Sequence, residues 1–265
     1  MVNNYYKYRQ SWRFSYAPHQ ETKLSENEVR QYLKQGGLLL RNTYDYDCEM
    51  PTSFWYISKD RFGGMEELSS NTRRKVRKAL KNIEYSIVEK DFIQQYGYPV
   101  YKDTLKSYPV KDRNISENKF KLFFNSDTVE CWVGRDKETR QLVCFAINYL
   151  WDDVCGYEII TVIPKYRHNA PYTNYGLFYA MNEYYLGQKH FRYVTDGSRT
   201  ITEHSGIQDY LIQNFNFRKA YCRLEIHYQW WMKIAVNLLY PFRNIITLPR
   251  VKAVLNMEAM QRGEK

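Results

Sequence analysis

The clearest pattern of hydrophobic and polar positions lies between residues 128 and 163. Three apolar stretches, TVECWVGR, LVCFAINYL and VCGYEIITVI, are separated only by the short polar turns DKETRQ and WDD. Connections this short join antiparallel neighbours, because parallel strands need a long crossover between them. The pattern therefore predicts a three-stranded antiparallel meander.

Helices and strands alternate after this meander. YTNYGLFYAMNEYYLGQK predicts a helix with Thr173 as its cap, FRYVTDGS a short strand, and FRKAYCRLEIHY a long final strand. Between the two strands, SGIQDYLIQNF predicts a helix whose Ser205 and Gln208 have the spacing of a capping box. A meander followed by strand-helix-strand predicts an α/β fold of the layered α+β kind, with a mixed, mostly antiparallel sheet flanked by helices.

A helix with a strongly basic face precedes the meander, in LSSNTRRKVRKALKN. Its apolar positions recur at helical spacing: Val76, Ala79, Leu80 and Ile83. Its candidate N-caps are Ser70, Asn71 and Thr72. Its other face carries six cations and no acid: Arg73, Arg74, Lys75, Arg77, Lys78 and Lys81. Such a face is either simply solvated or contacts a partner, and the partners we consider are tRNA and a carrier protein, bound through Arg73, Arg74 and Arg77.

The two ends of the chain differ from this middle part. Residues 1–52 contain a short predicted helix whose Ser25 and Glu28 form a capping-box pattern, followed by the strand LLLRNT. We therefore divide the chain into residues 1–52, an N-terminal subdomain or set of edge elements, residues 53–228, the main domain, and residues 229–265, a C-terminal arm.

The C-terminal arm combines aromatic, apolar and basic residues. Trp230 and Trp231 open a stretch in which cations are interspersed to residue 252, a pattern typical of a peripheral membrane contact. Pro241 and Pro249 divide the arm into segments too short to span a bilayer, so we expect no transmembrane segment. The alternative interpretation is an arm packed on the domain or on a partner subunit.

Composition adds a basic charge balance and unpaired thiols. Lys and Arg exceed Asp and Glu by 39 − 29, a net charge of +10, which favours polyanionic partners. Five cysteines occur without a C-x-x-C motif, and Cys131, Cys144 and Cys222 lie inside apolar strands, which predicts buried free thiols of a reducing compartment. Since the N-terminus lacks the apolar core of a signal peptide, we expect a cytoplasmic protein, either free or peripheral at the membrane.

Two common site chemistries have no support in the sequence. The five histidines show no metal-ligand spacing and pair with no local cysteine, so we expect no metal. The G-x-S-x-G elbow of serine hydrolases is absent.

Three blocks of sequence carry a resemblance to a known superfamily. They are SSNTRRKVRKALKN at 69–82, VIPKYRHNAPYTNYGLFYAMNEYY at 162–185 and DGSRTITEHSGIQDYLIQNFNFRKAYC at 196–222. With the order of strands, they resemble the GNAT-like N-acyltransferases, and among these the branch of Fem-type peptidyltransferases and related N-acyltransferases. The resemblance implies a GNAT-like mixed sheet whose central strand splays from its neighbour to admit an acyl thioester. It also implies acyl-CoA or another acyl carrier as co-substrate.

The junction between the third meander strand and the next helix is the predicted donor site. A helix N-terminus exposes N–H donors and partial positive charge, which attract phosphate. The predicted contacts are Tyr166, Arg167, His168, Asn169, Tyr172, Thr173 and Asn174. The superfamily's acetyl-CoA loop has small residues where this chain has Pro171, which lacks an N–H, and the bulky Tyr172. This departure favours a long-chain acyl carrier, an aminoacyl-tRNA or no donor at all over acetyl-CoA.

Candidate catalytic residues come from two places. The loop DGSRTITEH supplies Asp196 and His204, and the third meander strand supplies Glu158; each is a candidate base for an attacking amine. Arg199 and Gln208 are candidates for binding a charged group of the substrate. The structural alternatives are a turn closed by an Arg–Asp pair and an acid on the solvent face of its strand.

Strand alternation gives one further expectation for the third meander strand. It places Tyr157, Ile159 and Thr161 together on the face opposite Glu158.

The sequence thus favours an N-acyltransferase-like enzyme that moves an acyl group from an activated donor to an amine by direct attack. Two alternatives stay open: a Fem-type transferase that uses aminoacyl-tRNA, and a non-catalytic binding module on the same fold.

Overall fold

The computed structural model describes residues 4–106, 115–167, 171–201 and 206–264. The strands are β1 Tyr5–Tyr8, β2 Ser11–Phe14, β3 Leu39–Tyr44, β4 Phe54–Lys59, β5 Ile83–Val88, β6 Val129–Asp136, β7 Leu142–Trp151, β8 Val154–Val162, β9 Tyr193–Ser198 and β10 Arg218–Tyr228. The α-helices are α1 Glu26–Lys34, α2 Ser70–Asn82, α3 Lys90–Lys106, α4 Glu117–Lys121, α5 Pro164–Arg167, α6 Thr173–Asn182, α7 Ile207–Phe215, α8 Trp230–Leu239 and α9 Pro249–Gln261.

The chain divides into two compact units that are not contiguous in sequence. The first consists of residues 1–57, 198–208 and 218–265, and the second of residues 58–197 and 209–217. The two ends of the chain, which we separated on sequence grounds, therefore belong to one unit.

The second unit contains the predicted meander. Its strands follow the order β9-β8-β7-β6-β5, with β5 to β8 antiparallel and β8 and β9 parallel. One face of the meander packs on α3 and α4 through a cluster of buried apolar side chains: Ile93, Phe120, Phe124, Val133, Phe145 and Ile147. This arrangement confirms the antiparallel connections that the short turns predicted.

Helices α2 and α6 pack against each other and against β5. Gly176 of α6 permits this approach, because a Cβ there would lie 2.7 Å from the Ala79 Cβ and 2.5 Å from the Tyr85 hydroxyl oxygen. The helix α2 begins one residue earlier than predicted. Its N-cap is Ser69, whose Oγ accepts a hydrogen bond from the Thr72 N–H at 3.2 Å, whereas Ser70 is already helical.

Helix α6 differs from its prediction at both ends. Its N-cap is Tyr172 rather than Thr173, which is the first helical residue and wholly buried. After Asn182 the backbone continues as a π-helix over Glu183–Gln188. The other predicted capping box, that of Ser205, lies outside the described residues.

The first unit has a sheet in the order β1-β2-β3-β10-β4, in which β1/β2 and β3/β10 are antiparallel and β2/β3 is parallel. Helices α8 and α9 pack against β10. A buried carboxylate, Glu21, joins the outer strands: it accepts hydrogen bonds from the Tyr5 hydroxyl at 2.8 Å and from the Thr43 N–H at 2.9 Å. The predicted capping box of Ser25 and Glu28 is confirmed at the start of α1.

The described residues include the cysteines that we expected to be buried and the helices that we expected to be too short to span a membrane. Cys131, Cys144 and Cys222 are buried, as their positions in apolar strands predicted. Among the helices described, none has the length and apolar character needed to cross a membrane.

Candidate functional site

Strand β8 contains a bulge at Glu158. Its partner β7 pairs Ile147 with Ile159 but the next residue, Asn148, with Tyr157, so that Glu158 is the extra residue. The bulge reverses the alternation of side chains. The prediction that Tyr157 shares a face with Ile159 is therefore wrong: Tyr157 donates a hydrogen bond to the Asn182 carboxamide oxygen in α6 at 2.9 Å, whereas Ile159 packs in the cluster beneath α3.

The parallel pairing of β8 with β9 ends beside this bulge. Three residue pairs form, the last being Gly156 with Thr195, while β8 itself continues to Val162. From Tyr157 to the end of β8, the residues of β8 do not pair with β9. The paired part of the two strands therefore ends two residues before the bulged residue Glu158.

Two acids lie where the strands separate. Glu158 is exposed on β8, and Asp196 follows the last paired residue of β9. Burial, and after it the neighbouring Glu158 carboxylate, raise the pKa of Asp196 to about 8. The structure thus brings together two of the three predicted bases and places them in different environments. The third, His204, lies outside the described residues.

The strand-to-helix junction contains a strained residue at the start of α6. Tyr172 has φ +63° and ψ +47°, the left-handed region that a bulky side chain rarely adopts. Its side chain makes no capping hydrogen bond. Strain of this kind persists where surrounding contacts fix it, and it clusters at ligand-binding sites.

Cations surround the Tyr172 ring. The charged groups of Arg74, Lys75 and Lys78 in α2 lie 5.9, 5.7 and 5.9 Å from its centroid. Lys75 also donates a hydrogen bond to the Tyr175 hydroxyl oxygen at 2.9 Å. The basic helix is therefore part of the junction.

A surface cavity of about 290 Å³ opens beside Tyr172. Within the described part of the chain it is lined by Lys78, Asn82, Asp136, Lys165, Tyr166 and Pro171. The only carboxylate in that lining, Asp136, already accepts hydrogen bonds from the Tyr166 hydroxyl and the Thr139 N–H, each at 3.0 Å. These bonds, with the Thr139 N–H the largest cause, lower the pKa of Asp136. Asp136 stays ionised, and its single negative charge against Lys78 and Lys165 leaves the lining with a net positive charge that suits an anion.

The other predicted donor contacts have varied positions. Tyr166 lines the cavity, and Arg167 ends α5. Thr173 is wholly buried, and both its hydroxyl oxygen and the carboxamide oxygen of Asn174 lack a hydrogen-bond partner within the described residues. His168 and Asn169 lie outside those residues.

The two predicted substrate contacts bind backbone groups in the first unit. Arg199 donates from its guanidinium to the Ser53 carbonyl at 2.5 Å, and its N–H bonds the Trp55 carbonyl at 2.8 Å. Gln208 is buried and donates to the Ser198 carbonyl at 3.0 Å. These contacts hold the two side chains in place, and a role in substrate binding stays a prediction for both.

Sequence reasoning missed two residues of the cavity, Asn82 and Asp136. Asn82 ends α2 and Asp136 ends β6, and neither position carries a motif. The basic face of α2 was the sequence signal that could have indicated Lys78.

The three arginines predicted to bind a partner differ in their surroundings. Arg73 lies 3.7 Å from a Glu66 carboxylate oxygen, whereas Arg74 and Arg77 are exposed.

Comparisons with known proteins give matches only at the level of structure. No family model matches the chain, and no curated protein matches it. The C-terminal domain of a protein from Agrobacterium fabrum, described as a lysylphosphatidylglycerol synthetase, is 11% identical over 89% of this chain and 82% of that one, with a TM-score of 0.53.

Two further solved structures are similar at lower TM-scores. L-PGS from Bacillus licheniformis is 9% identical over 98% of this chain and 85% of that one, with a TM-score of 0.49. FemX is 12% identical over 66% of this chain, with a TM-score of 0.49; the chain spans 60% of FemX, which is less than two thirds of its length. The match to the Agrobacterium domain and the order of strands establish the fold alone. The chain has a mixed α/β fold, with a mostly antiparallel sheet flanked by helices, that is similar to the fold of this domain.

Proposed function

We propose that the protein is an acyltransferase that moves an acyl group from a phosphorylated carrier to an amine. The observation that carries the proposal is the bulge at Glu158, close to the point where the pairing of β8 with β9 ends, together with the nearby Asp196, whose pKa the Glu158 carboxylate helps to raise. A bulge changes the direction in which a side chain points. Where two strands separate, unpaired backbone N–H and C=O groups and the space between the strands become available to an extended ligand.

The two acids take different roles in this proposal. The amine nitrogen attacks the acyl carbonyl carbon, the new C–N bond forms, and the bond from that carbon to the carrier's sulfur or oxygen breaks. Glu158, which solvent reaches, accepts the proton lost by the amine. Asp196, which holds a proton at neutral pH because its pKa is raised to about 8, protonates the departing carrier atom.

The donor's phosphate binds at the strand-to-helix junction. Lys78 and Lys165 supply positive charge to the cavity there, and the start of α6 adds the partial charge of its N-terminus. Because Pro171 lines the same cavity and has no N–H, side-chain ammonium groups replace part of the backbone contact of a glycine-rich loop. Acyl-CoA and other acyl carriers fit this chemistry.

A second candidate donor is aminoacyl-tRNA. It is favoured by the exposed face of α2, where Arg74, Arg77, Lys78 and Lys81 continue from the cavity along one helix. A polyanion that enters the cavity with one phosphate can extend along this face with others.

A thermal-shift panel tests the proposal. We expect at least one CoA ester, from acetyl to palmitoyl, to raise Tm by about 5 °C when its concentration is 100 times its Kd. The double substitution Lys78→Glu and Lys165→Glu should lower the affinity for that ligand at least tenfold, since each substitution removes a charge-assisted contact. The matched control is Lys189→Glu, an exposed lysine outside the cavity lining.

The tRNA alternative makes a different prediction. Arg74→Glu with Arg77→Glu should reduce tRNA affinity and lower the slope of log K against log salt by about one for each lost phosphate contact. If neither CoA esters nor aminoacyl-tRNA bind, the protein is a module that keeps the fold without the transferase function.

A further inference from the structure

Helix α8 is apolar on two opposite faces. Met232, Val236 and Tyr240 recur every four residues and pack toward α9, where Leu255 completes a buried cluster. Trp230, Ile234 and Leu238 recur with the same spacing on the other face, and they are 75%, 54% and 68% exposed. A helix that is apolar all round is normally covered on all sides.

The exposed apolar surface continues beyond α8. Of the fifteen large apolar side chains that are exposed in the described residues, eight lie between residues 230 and 248. We call these eight the apolar ridge: Trp230, Trp231, Ile234, Leu238, Leu239, Phe242, Ile245 and Leu248. Isolated apolar residues on a surface are ordinary, but a contiguous run of this length marks an interaction surface.

The stretch of sequence that carries the ridge contains basic residues and no acidic ones. No Asp or Glu occurs between Glu225 and Glu258, and this stretch holds four Lys and Arg residues. Arg243 pairs with Glu264 at 2.5 Å, while Lys233, Arg250 and Lys252 are exposed. The surface that remains combines tryptophan, aliphatic side chains and ammonium or guanidinium groups.

We propose that the apolar ridge docks the protein on the surface of an anionic lipid bilayer. Tryptophan suits the boundary between headgroups and acyl chains, and lysine and arginine beside it attract anionic headgroups. The ten residues of α8 extend only about 15 Å, so the helix lies in the plane of the interface rather than across the bilayer.

Charge decides between a bilayer and a second copy of the chain. Two ridges facing each other in a symmetric dimer would bring like cations together, and the stretch between Glu225 and Glu258 has no acid to pair with them. An anionic bilayer supplies the opposite charge together with an apolar layer. The surface is therefore complementary to the bilayer and not to itself.

Vesicle co-sedimentation of the full chain tests this inference. We expect binding to vesicles of phosphatidylcholine with 30% phosphatidylglycerol, and binding at least tenfold weaker to phosphatidylcholine alone. Trp230→Ser with Leu238→Ser should reduce the partition coefficient at least tenfold, since both side chains insert. Lys233→Glu with Lys252→Glu should lose the preference for phosphatidylglycerol while keeping the apolar residues.

The control is Leu122→Ser, which removes an apolar side chain of similar exposure, 62%, outside the ridge. It should bind vesicles as the unchanged chain does, and all variants should keep the same Tm because the substituted side chains are on the surface. Equal binding of the ridge variant and the Leu122 control would overturn the inference. So would a dimer, seen by sedimentation velocity, that the ridge variant abolishes while no form of the protein binds vesicles.

Discussion

Glu21 in the first unit and Asp196 in the second are both acids with raised pKa values, and their surroundings differ. Glu21 accepts hydrogen bonds from Tyr5, Asn42 and Thr43, so burial raises its pKa while four donors compensate for the lost water. Asp196 instead lies near a second carboxylate, Glu158. A raised pKa therefore does not identify a catalytic acid by itself. The groups around the acid distinguish a structural carboxylate, surrounded by hydrogen-bond donors, from a reactive one beside a second carboxylate.

Removing the two acids near the end of the β8–β9 pairing should have the largest effect on activity. We expect Asp196→Asn or Glu158→Gln to lower the transfer rate by about 100- to 10,000-fold, because each removes a proton acceptor or donor from the reacting atoms. The measurement is single-turnover transfer from whichever donor the thermal-shift panel identifies. The comparison would fail if Glu21→Gln lowered the rate as much as either of these variants.

Glu21 should matter for stability instead. Glu21→Ala leaves the Tyr5 hydroxyl and the Thr43 N–H without this acceptor, while the Asn42 amide keeps the Thr22 carbonyl, and we expect a loss of about 2–4 kcal/mol in the free energy of unfolding. Urea denaturation at pH 7 measures it. Glu21→Gln, which keeps one acceptor oxygen, serves as the milder variant. A loss below about 0.5 kcal/mol for the alanine variant would contradict the structural role.

A third expected effect is the pH dependence that Asp196 gives to stability. Its pKa is about 8 in the folded protein and near 3.9 in an unfolded chain, so between these values the folded state holds a proton that the unfolded state has lost. This contribution to stability is complete below pH 4 and disappears as the pH rises through 8. Thermal unfolding at pH 5 and pH 8 measures this contribution, and Asp196→Asn should lose less in Tm between the two pH values than the unchanged chain does. An unchanged slope would show that the carboxyl is solvated.

Local sequence signals predicted most of the second unit. The turns of the meander and the capping box of Ser25 and Glu28 depend on residues a few positions apart, and the structure has them where expected, the capping box lying in the first unit. The predicted start of α2 was wrong by one residue, because Ser69 and Ser70 can each cap the helix and tertiary packing selects between them. The donor junction was predicted from the change from strand to helix, but Asp136 reaches it only through the fold.

The sequence alone determined the antiparallel meander, the basic face of α2 and the combination of tryptophans and cations that opens the C-terminal arm, since periodicity, turn length and charge are local properties of the chain. Only the tertiary structure decided that Glu158 forms a bulge, that its charge acts on Asp196, and that Lys78 and Lys165 share one cavity. A bulge is a mismatch between two strands, and a cavity joins side chains far apart in sequence. Both follow from the register and packing of partners that no single stretch of the chain encodes.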